Sequence, residues 1–259
     1  MSKNVVMNNS ESFFIESKII GYEFKIDIAL PKGYKDSHET YPTIYVLDGN
    51  RNFGIAAGTA RLLPTGMDAP DAIVVGVGYK TDEEHAKYRS RDYLPTTSNQ
   101  LEYSGGGSNF LRFLKENLIP FIEEKYRVNQ TRILSGFSYS ALFTMYTLFT
   151  DTSLFKNYLI GSPSLFYDDK VMFKIEAEYA KKFSDLDAKV FLSVGTLEEG
   201  FEMFPKMVSN VERISEILLN RNYSNLQLTT HIFDNETHFS SIPATFSRGV
   251  RVLIGSLSK

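Results

Sequence analysis

The chain has 259 residues, of which 42% are hydrophobic and 23% charged, a balance typical of one globular domain with a sizeable core. The formal net charge is only −3, which indicates no basic surface for a nucleic-acid backbone or an anionic membrane. Cysteine is absent, which excludes disulfide scaffolds, thiolate metal sites and a cysteine nucleophile. We therefore expect a single domain over residues 1–259.

The predicted elements alternate between strands and helices along the chain. In chain order, we predict strands at 12–17, 22–30 and 43–47, a helix at 53–63, a strand at 72–77, a helix at 109–125 with a kink at Pro120, a strand at 132–134 and a helix ending near 149. There follow a strand at 158–160, a helical or loop segment at 168–183, a strand at 189–194, a helix at 207–220, a strand at 226–233 and a last helix from about 242. Antiparallel signals followed by repeated β–α units predict an α/β fold with a mostly parallel mixed sheet, antiparallel N-terminal strands and helices on both faces.

One segment, residues 133–150, carries no group that ionises near neutral pH. It is at the short end for a membrane span of about 20 residues. A turn over Gly136 to Ser140 divides it into a strand and a short helix, so we expect a buried helix instead. The N-terminus lacks the pattern of a secretory signal, so we expect a cytoplasmic protein.

The sequence around Ser138 predicts a nucleophile. The run ILSGFSYSA places a short apolar strand before Gly136-Phe137-Ser138-Tyr139-Ser140 and a helix directly after it. This strand–turn–helix order is typical of the nucleophile elbow, in which a serine occupies a strained turn and small residues let strand and helix approach. Ser140 stands where glycine is most common, and a Ser-rich turn that only caps the helix is the alternative.

A serine nucleophile needs a base, and His238 is the candidate because it lies in a loop after the last predicted strand. His38 and His85 lie among polar residues and are predicted at the surface, and His231 is predicted to be structural within a strand. In α/β-hydrolases the acid lies between nucleophile and histidine along the chain.

Two neighbouring glutamates compete for the role of the acid. Glu198 and Glu199 follow the strand at 189–194, and we choose Glu198, with Glu199 as the close competitor and Asp234 as a distant one. The predicted oxyanion hole uses the backbone N–H groups of Tyr139, the residue after the serine, and of Asn50, in the loop after an early strand. We expect Asp48 to bind loop amides.

The chain also resembles a known family in an ordered set of blocks: YPTIYVLDGN, AIVVGVGY with RSRDYLP, GGGSNFLRFLKENLIPFIEEKYRV, ILSGFSYSALF, LIGSPSLFYDD, FLSVGTLEEG and NETHFS. These look like the putative esterase family of α/β-hydrolases, which includes enterochelin-type siderophore esterases and is related to esterase D. The resemblance runs from about Ser17 to Leu253 and implies a catalytic triad of Ser138, Glu198 and His238. Ser140 in place of glycine and Phe137 in place of a commoner histidine depart from the family pattern.

Other residues are candidates for substrate contact. The loop predicted after the strand at 72–77 contains Arg89, Arg91 and Asp92. Arg91 is predicted either to bind a substrate anion or to belong to an Arg–Asp pair that stabilises the loop, and we favour the pair. Aromatic side chains are predicted either to line a pocket over Ser138 or to pack in the core: Phe166, Tyr167, Phe173, Phe201 and Phe204.

These observations predict a serine hydrolase that cleaves carboxylic esters, of siderophore, aryl or short-acyl type, through an acyl-enzyme. Its partner is a small-molecule ester, with no nucleic acid or membrane, and no metal or cofactor is required. Gly76-Val77-Gly78 lacks the third glycine of a dinucleotide-binding loop. The alternatives are a thioesterase, an acyltransferase, or a non-catalytic binding protein on a hydrolase scaffold. The sequence does not specify the oligomeric state.

Overall fold

Eight strands form one mixed sheet in the part of the chain that the structure, a computed structural model, describes: residues 6–200, 202–203 and 205–257. The strands are β1 (Ser10–Ser17), β2 (Tyr22–Ala29), β3 (Tyr41–Leu47), β4 (Ile73–Gly78), β5 (Val128–Phe137), β6 (Asn157–Gly161), β7 (Asp185–Gly195) and β8 (Ser224–Phe233). Their order across the sheet is β1-β2-β4-β3-β5-β6-β7-β8. β1 and β2 are antiparallel to their neighbours in the sheet, whereas β3 to β8 run parallel to one another. The predicted sheet is confirmed.

The helices lie between successive strands from β3 onward and after β8. They are α1 (Gly49–Leu62), α2 (Asp82–Tyr93), α3 (Gly107–Phe113), α4 (Ile119–Lys125), α5 (Tyr139–Thr150), α6 (Tyr167–Ala180), α7 (Met207–Arg221) and α8 (Ser241–Ile254). A π-helical turn at Leu114–Leu118 joins α3 to α4 just before Pro120, which has no N–H to continue the regular ladder. Helix α2 is the one that the sequence analysis missed, because it predicted a loop there.

The side chains of the central strands pack into two cores, one on each face of the sheet. In β3, Tyr45 and Leu47 belong to one core, whereas Ile44 and Val46 belong to the other. Helices α1 and α8 cover the second core, and the remaining helices contribute to the first. Burial on both faces explains why β3 and β4 read as almost continuous apolar runs.

The charge-free segment is the end of β5 followed by α5, as predicted. Nine of the 12 residues of α5 are buried. The hydroxyls of Thr144 and Thr147 donate to the carbonyls of Ser140 and Phe143 within the helix, so burial leaves neither without a partner. Within the described ranges, no helix is both long and apolar enough to cross a membrane.

The carboxyl ends of the parallel strands place several polar residues at one edge of the sheet. Asp48 follows β3, Ser138 follows β5, Glu198 closes a short helical turn after β7, and His238 lies in the loop after β8. Because parallel strands end at the same edge, these four residues from distant parts of the sequence converge there.

Candidate active site

Ser138 occupies a strained turn between β5 and α5. Its φ is 63° and its ψ is −120°, a combination that a residue with a Cβ adopts only when the surrounding structure enforces it, at a cost of about 1–3 kcal/mol. The Ser138 N–H donates to the Gly161 carbonyl at 3.1 Å. This geometry agrees with the predicted nucleophile elbow.

Gly136 lets strand β5 and helix α5 approach each other closely. A Cβ at this position would overlap the Ser140 carbonyl group and lie 2.6 Å from Thr144 Oγ1. Ser140, in contrast, has an ordinary helical backbone and is not among the residues with positive φ. Serine in place of glycine at this position therefore does not disturb the turn.

We expect Gly136→Ala to destabilise the protein by more than about 2 kcal/mol, because the new methyl group overlaps main-chain atoms that cannot move independently. Urea unfolding followed by circular dichroism measures the effect. The matched control is Gly54→Ala, on an exposed face of α1, where an added Cβ has no heavy atom within 4 Å. That control should stabilise the helix by up to about 1 kcal/mol, and equal stability of the Gly136 variant and the wild type would contradict the close approach.

His238 and Glu198 form a buried hydrogen-bonded pair beside this turn. His238 Nδ1–H donates to Glu198 Oε2 at 2.6 Å, and the two residues are 4% and 1% exposed. Glu198 Oε1 accepts from Ser162 Oγ at 2.7 Å and from the Gly195 N–H at 2.8 Å. The carboxylate is thus satisfied on both oxygens, and it holds the imidazole in the tautomer whose Nε2 can accept a proton.

The competing acids are engaged elsewhere. Glu199 is exposed and accepts hydrogen bonds from the N–H and hydroxyl of Ser209. Desolvation works against ionisation, but the bonds from Ser209 outweigh it and lower the pKa of Glu199. Asp234 accepts from Asn235 Nδ2 at 2.9 Å. Of the three acids considered, only Glu198 is hydrogen-bonded to His238.

A cavity of about 460 Å³ opens at this edge of the sheet. The residues that line it are Asp48, Arg51, Asn52, Ile55, Arg89, Phe137, Ser138, Tyr139, Phe166, Met203, His238, Phe239 and Ile242. The rings of Phe137 and Phe239 contact the imidazole of His238 edge-on, with centroids 5.1 and 5.2 Å away. Ser164 Oγ lies 3.3 Å from Ser138 Oγ. Apolar and aromatic side chains thus surround Ser138 and His238, and Asp48, Arg51, Asn52 and Arg89 add polar groups to the wall.

The predicted substrate-contact residues separate into two groups. Phe166 lines the cavity, whereas Arg91 and Tyr167 are not among its lining residues. Arg91 instead pairs with Asp92 at 2.8 Å, the favoured Arg–Asp interpretation, although on helix α2 and not in the predicted loop. Tyr167 is buried and donates to the Thr96 carbonyl at 2.7 Å.

Among the remaining predicted aromatics, Phe173 is not a lining residue of the cavity. Phe173 packs against the larger core. Phe201 and Phe204 lie outside the described residues.

The two predicted oxyanion donors have different surroundings. Tyr139 is the first residue of α5 and lines the cavity, so its N–H belongs to the first turn, whose N–H groups have no partner within the helix. Asn50, near the start of α1, is not among the lining residues; its Oδ1 accepts from the Tyr79 N–H at 2.7 Å. The role of these N–H groups stays a prediction.

A buried polar cluster next to the cavity escaped the sequence analysis. His85, predicted at the surface, is fully buried, and its Nε2 lies 2.7 Å from Asp48 Oδ1. Asp48, predicted to bind loop amides, instead accepts from the side chains of His85, Arg89 and Ser140. Both predictions were wrong because α2 was not recognised. Its signal was present in Thr81, whose hydroxyl caps the helix, followed by three acids in the first turn.

Asp48 is ionised within this cluster. Burial is the largest single influence on it and opposes the charge, but the guanidinium of Arg89 and the hydrogen bonds from Arg89 and His85 outweigh burial. The pKa of the Asp48 carboxyl therefore lies well below its usual range. Asp48 and Arg89 therefore form an ion pair beside the cavity.

No group of three or more His, Asp or Glu side chains among the described residues is arranged to hold a metal ion.

The chain order of these residues, serine, then acid, then histidine, and the mixed sheet that carries them are those of the α/β-hydrolases. Comparison with known proteins identifies the family within this class. The sequence profile of the putative esterase family matches residues 17–241. The chain belongs to that family, and it is a carboxylic ester hydrolase.

Named relatives and solved structures agree with this assignment. The chain is similar to the ferri-bacillibactin esterase BesA of Bacillus subtilis, with 29% identity over 227 residues, covering 82% of this chain and 78% of that one. Among solved structures, the BES protein from Bacillus cereus matches with a TM-score of 0.86 at 30% identity, covering 97% of both chains. The siderophore hydrolase EstA from Aspergillus nidulans matches with a TM-score of 0.84 at 26% identity, covering 96% of this chain and 97% of that one.

Proposed function

We propose that Ser138 is the nucleophile of this esterase and that His238 and Glu198 complete its catalytic triad. The observation that carries the proposal is the buried 2.6 Å hydrogen bond from His238 Nδ1–H to Glu198, beside a serine held at φ 63°. Glu198 orients the imidazole and stabilises the imidazolium. His238 Nε2 takes the Ser138 proton as Oγ attacks the ester carbonyl.

The proposed reaction then runs in two halves. The tetrahedral oxyanion is held by the N–H groups of Tyr139 and Asn50 and favoured by the positive end of helix α5. His238 gives its proton to the leaving alcohol, and an acyl-enzyme on Ser138 remains. Water, deprotonated by the same imidazole, hydrolyses the acyl-enzyme and restores the hydroxyl. The mechanism uses no metal or cofactor step.

We further propose that the physiological substrate is a siderophore-type ester with an aryl acyl group. Two of the proteins named above are a ferri-bacillibactin esterase and a siderophore hydrolase by name. The cavity suits such a substrate because Phe137, Phe166 and Phe239 offer aromatic walls. Arg51 supplies a positive charge there in addition to the Asp48–Arg89 ion pair. Aromatic surfaces and guanidinium groups together favour electron-rich, partly anionic rings.

A substrate panel tests this proposal. Purified protein is assayed against a catecholate trilactone, a hydroxamate siderophore ester, p-nitrophenyl acetate and an acyl thioester, with Ser138→Ala as the control for each. We expect the catecholate trilactone to have the highest kcat/KM, by about tenfold or more over the others, because its rings make contacts that a short acyl ester lacks. A higher value for the thioester or for p-nitrophenyl acetate would overturn the substrate proposal.

Two organisational predictions accompany this function. One domain over residues 1–259 is supported by the single sheet, whose two cores draw on helices from the whole described chain. The cytoplasmic location stays a prediction, for which cell fractionation is the test.

A further inference from the structure

Asp48 is a buried carboxylate that the proposed mechanism leaves unused. It is 3% exposed and lies next to the candidate active site. Its Oδ1 contacts His85 Nε2 at 2.7 Å and Arg89 Nε at 2.9 Å, and its Oδ2 contacts Arg89 Nη2 and Ser140 Oγ, both at 2.7 Å. Three elements meet at this one group: the turn after β3, helix α2 and the first turn of α5.

Ser140 connects this carboxylate to the turn that holds Ser138. Its Oγ accepts from the Phe137 N–H at 2.8 Å. Two acceptors lie within reach of its one proton, Asp48 Oδ2 at 2.7 Å and the Phe137 carbonyl at 2.8 Å, and the ionised carboxylate is the stronger of the two. Phe137 and Ser140, which lie on either side of Ser138 in the turn, are thus joined through the Ser140 hydroxyl. Glycine, the common residue at this position of the elbow, could not make this connection.

The main chain of Asp48 leads directly into helix α1, whose Arg51 and Asn52 line the cavity. Asp48 has a left-handed backbone at φ 54°, immediately before Gly49 and Asn50 at the start of α1. Its N–H donates to Tyr93 Oη at 3.0 Å. A second contact links α2 to the elbow, because the Arg89 guanidinium lies 5.3 Å from the centre of the Tyr139 ring. The segment with Asn50 and the segment with Tyr139 are therefore tied to the same buried ion pair.

We propose that Asp48 and Ser140 are positioning residues that fix the elbow relative to the turn after β3, and so fix the spacing of the two predicted oxyanion donors. This inference rests on the proposed roles of Ser138, Tyr139 and Asn50. Donors aimed at a developing oxyanion act only if they are held in place before the reaction, and a displacement of about 1 Å can cost about 100-fold in rate. The Asp48–Ser140 hydrogen bond is the direct connection between the two segments.

Ser140→Ala removes this connection while leaving the contacts of Asp48 with His85 and Arg89 in place. We expect kcat for p-nitrophenyl acetate to fall about tenfold or more while KM changes less than about twofold, because the lost alignment matters in the transition state. The acid limb of the pH–rate profile should stay where it is, since the His238–Glu198 pair is untouched. In an Asp48→Asn background, Ser140→Ala should lower kcat much less, because the carboxylate that accepts the Ser140 hydrogen bond is already absent.

The matched control is Ser215→Ala. Ser215 is also a buried serine with one short side-chain bond, to Thr230 Oγ1 at 2.7 Å, but it lies on α7, away from the cavity. A purely structural role for Ser140 predicts that both variants lose stability and neither loses kcat, which would overturn the proposal. If Ser140→Ala does not fold, Ser140→Gly is assayed instead, and full kcat in that variant would equally overturn it.

Ser138→Ala, assayed beside the Ser140 variants, separates this inference from the proposed function. If Ser138 is not the nucleophile, Ser138→Ala retains hydrolysis, whatever the Ser140 variants do. If only the positioning role is wrong, Ser138→Ala is inactive while Ser140→Ala and Ser140→Gly keep the wild-type kcat.

Discussion

Ser138→Ala is expected to lower kcat/KM for p-nitrophenyl acetate by at least about 10⁴-fold while leaving the protein folded. The substitution removes only the hydroxyl group, whose oxygen forms the ester bond of the acyl-enzyme in the proposed mechanism. Alanine retains the Cβ, so the strained backbone at φ 63° and the surrounding contacts need not change. Initial-rate kinetics, with thermal melting as a check on folding, measure the effect.

A fluorophosphonate probe provides an independent readout of the same residue. The wild type and Ser215→Ala should both carry one covalent adduct, located on Ser138 by peptide mass spectrometry, whereas Ser138→Ala should carry none. Near-normal turnover in folded Ser138→Ala would refute the nucleophile assignment. Absence of labelling in the folded wild type would instead favour the non-catalytic binding protein considered from the sequence.

Glu198→Gln is expected to reduce kcat by about 10²- to 10⁴-fold with little change in KM. A glutamine amide can present its NH₂ group to His238 and favour the wrong tautomer, and it no longer stabilises the imidazolium formed during attack. The change is nearly isosteric, so the hydrogen bond from the Gly195 N–H can persist. Steady-state kinetics across pH measure the loss.

Glu199→Gln is the matched control for that substitution. Glu199 is the adjacent residue, but it is exposed and accepts a hydrogen bond from the Ser209 N–H on α7. We expect kcat to stay within about twofold of wild type, since surface substitutions away from the site have small effects. The reverse outcome, a large loss in the Glu199 variant and a small one in the Glu198 variant, would exchange the two roles.

Features encoded by short runs of sequence were predictable here. The elbow around Ser138 is local: an apolar strand, small residues at set positions and an apolar helix all lie within residues 132–150. The mostly parallel sheet is likewise predicted by the repeated alternation of apolar strands with amphipathic helices. Both depend on backbone preferences and burial that neighbouring residues specify by themselves.

Features that depend on charge pairing across the fold were not predictable. Helix α2 reads as DEEHAKYRSRDY and has almost no apolar stripe, so its pattern resembles a solvated loop. His85 and Arg89 are nevertheless buried or half-buried there, because Asp48, far away in the sequence, supplies their partner. The lack of an apolar stripe, which outweighed the capping signal at Thr81, also led to the wrong environment for Asp48 and to the choice of Arg91 in place of the cavity-lining Arg89.

The sequence by itself thus determined the fold class and the strand–turn–helix around Ser138, because each rests on periodicity or on a contiguous motif. Its resemblance to the putative esterase family implied the esterase chemistry. Only the tertiary structure decided which of two adjacent glutamates contacts His238, and that a buried Asp48 ion pair lies against the candidate site. The physical reason is that hydrogen bonds and ion pairs between distant segments depend on distances and angles that the fold sets, at atomic precision, after the chain has collapsed.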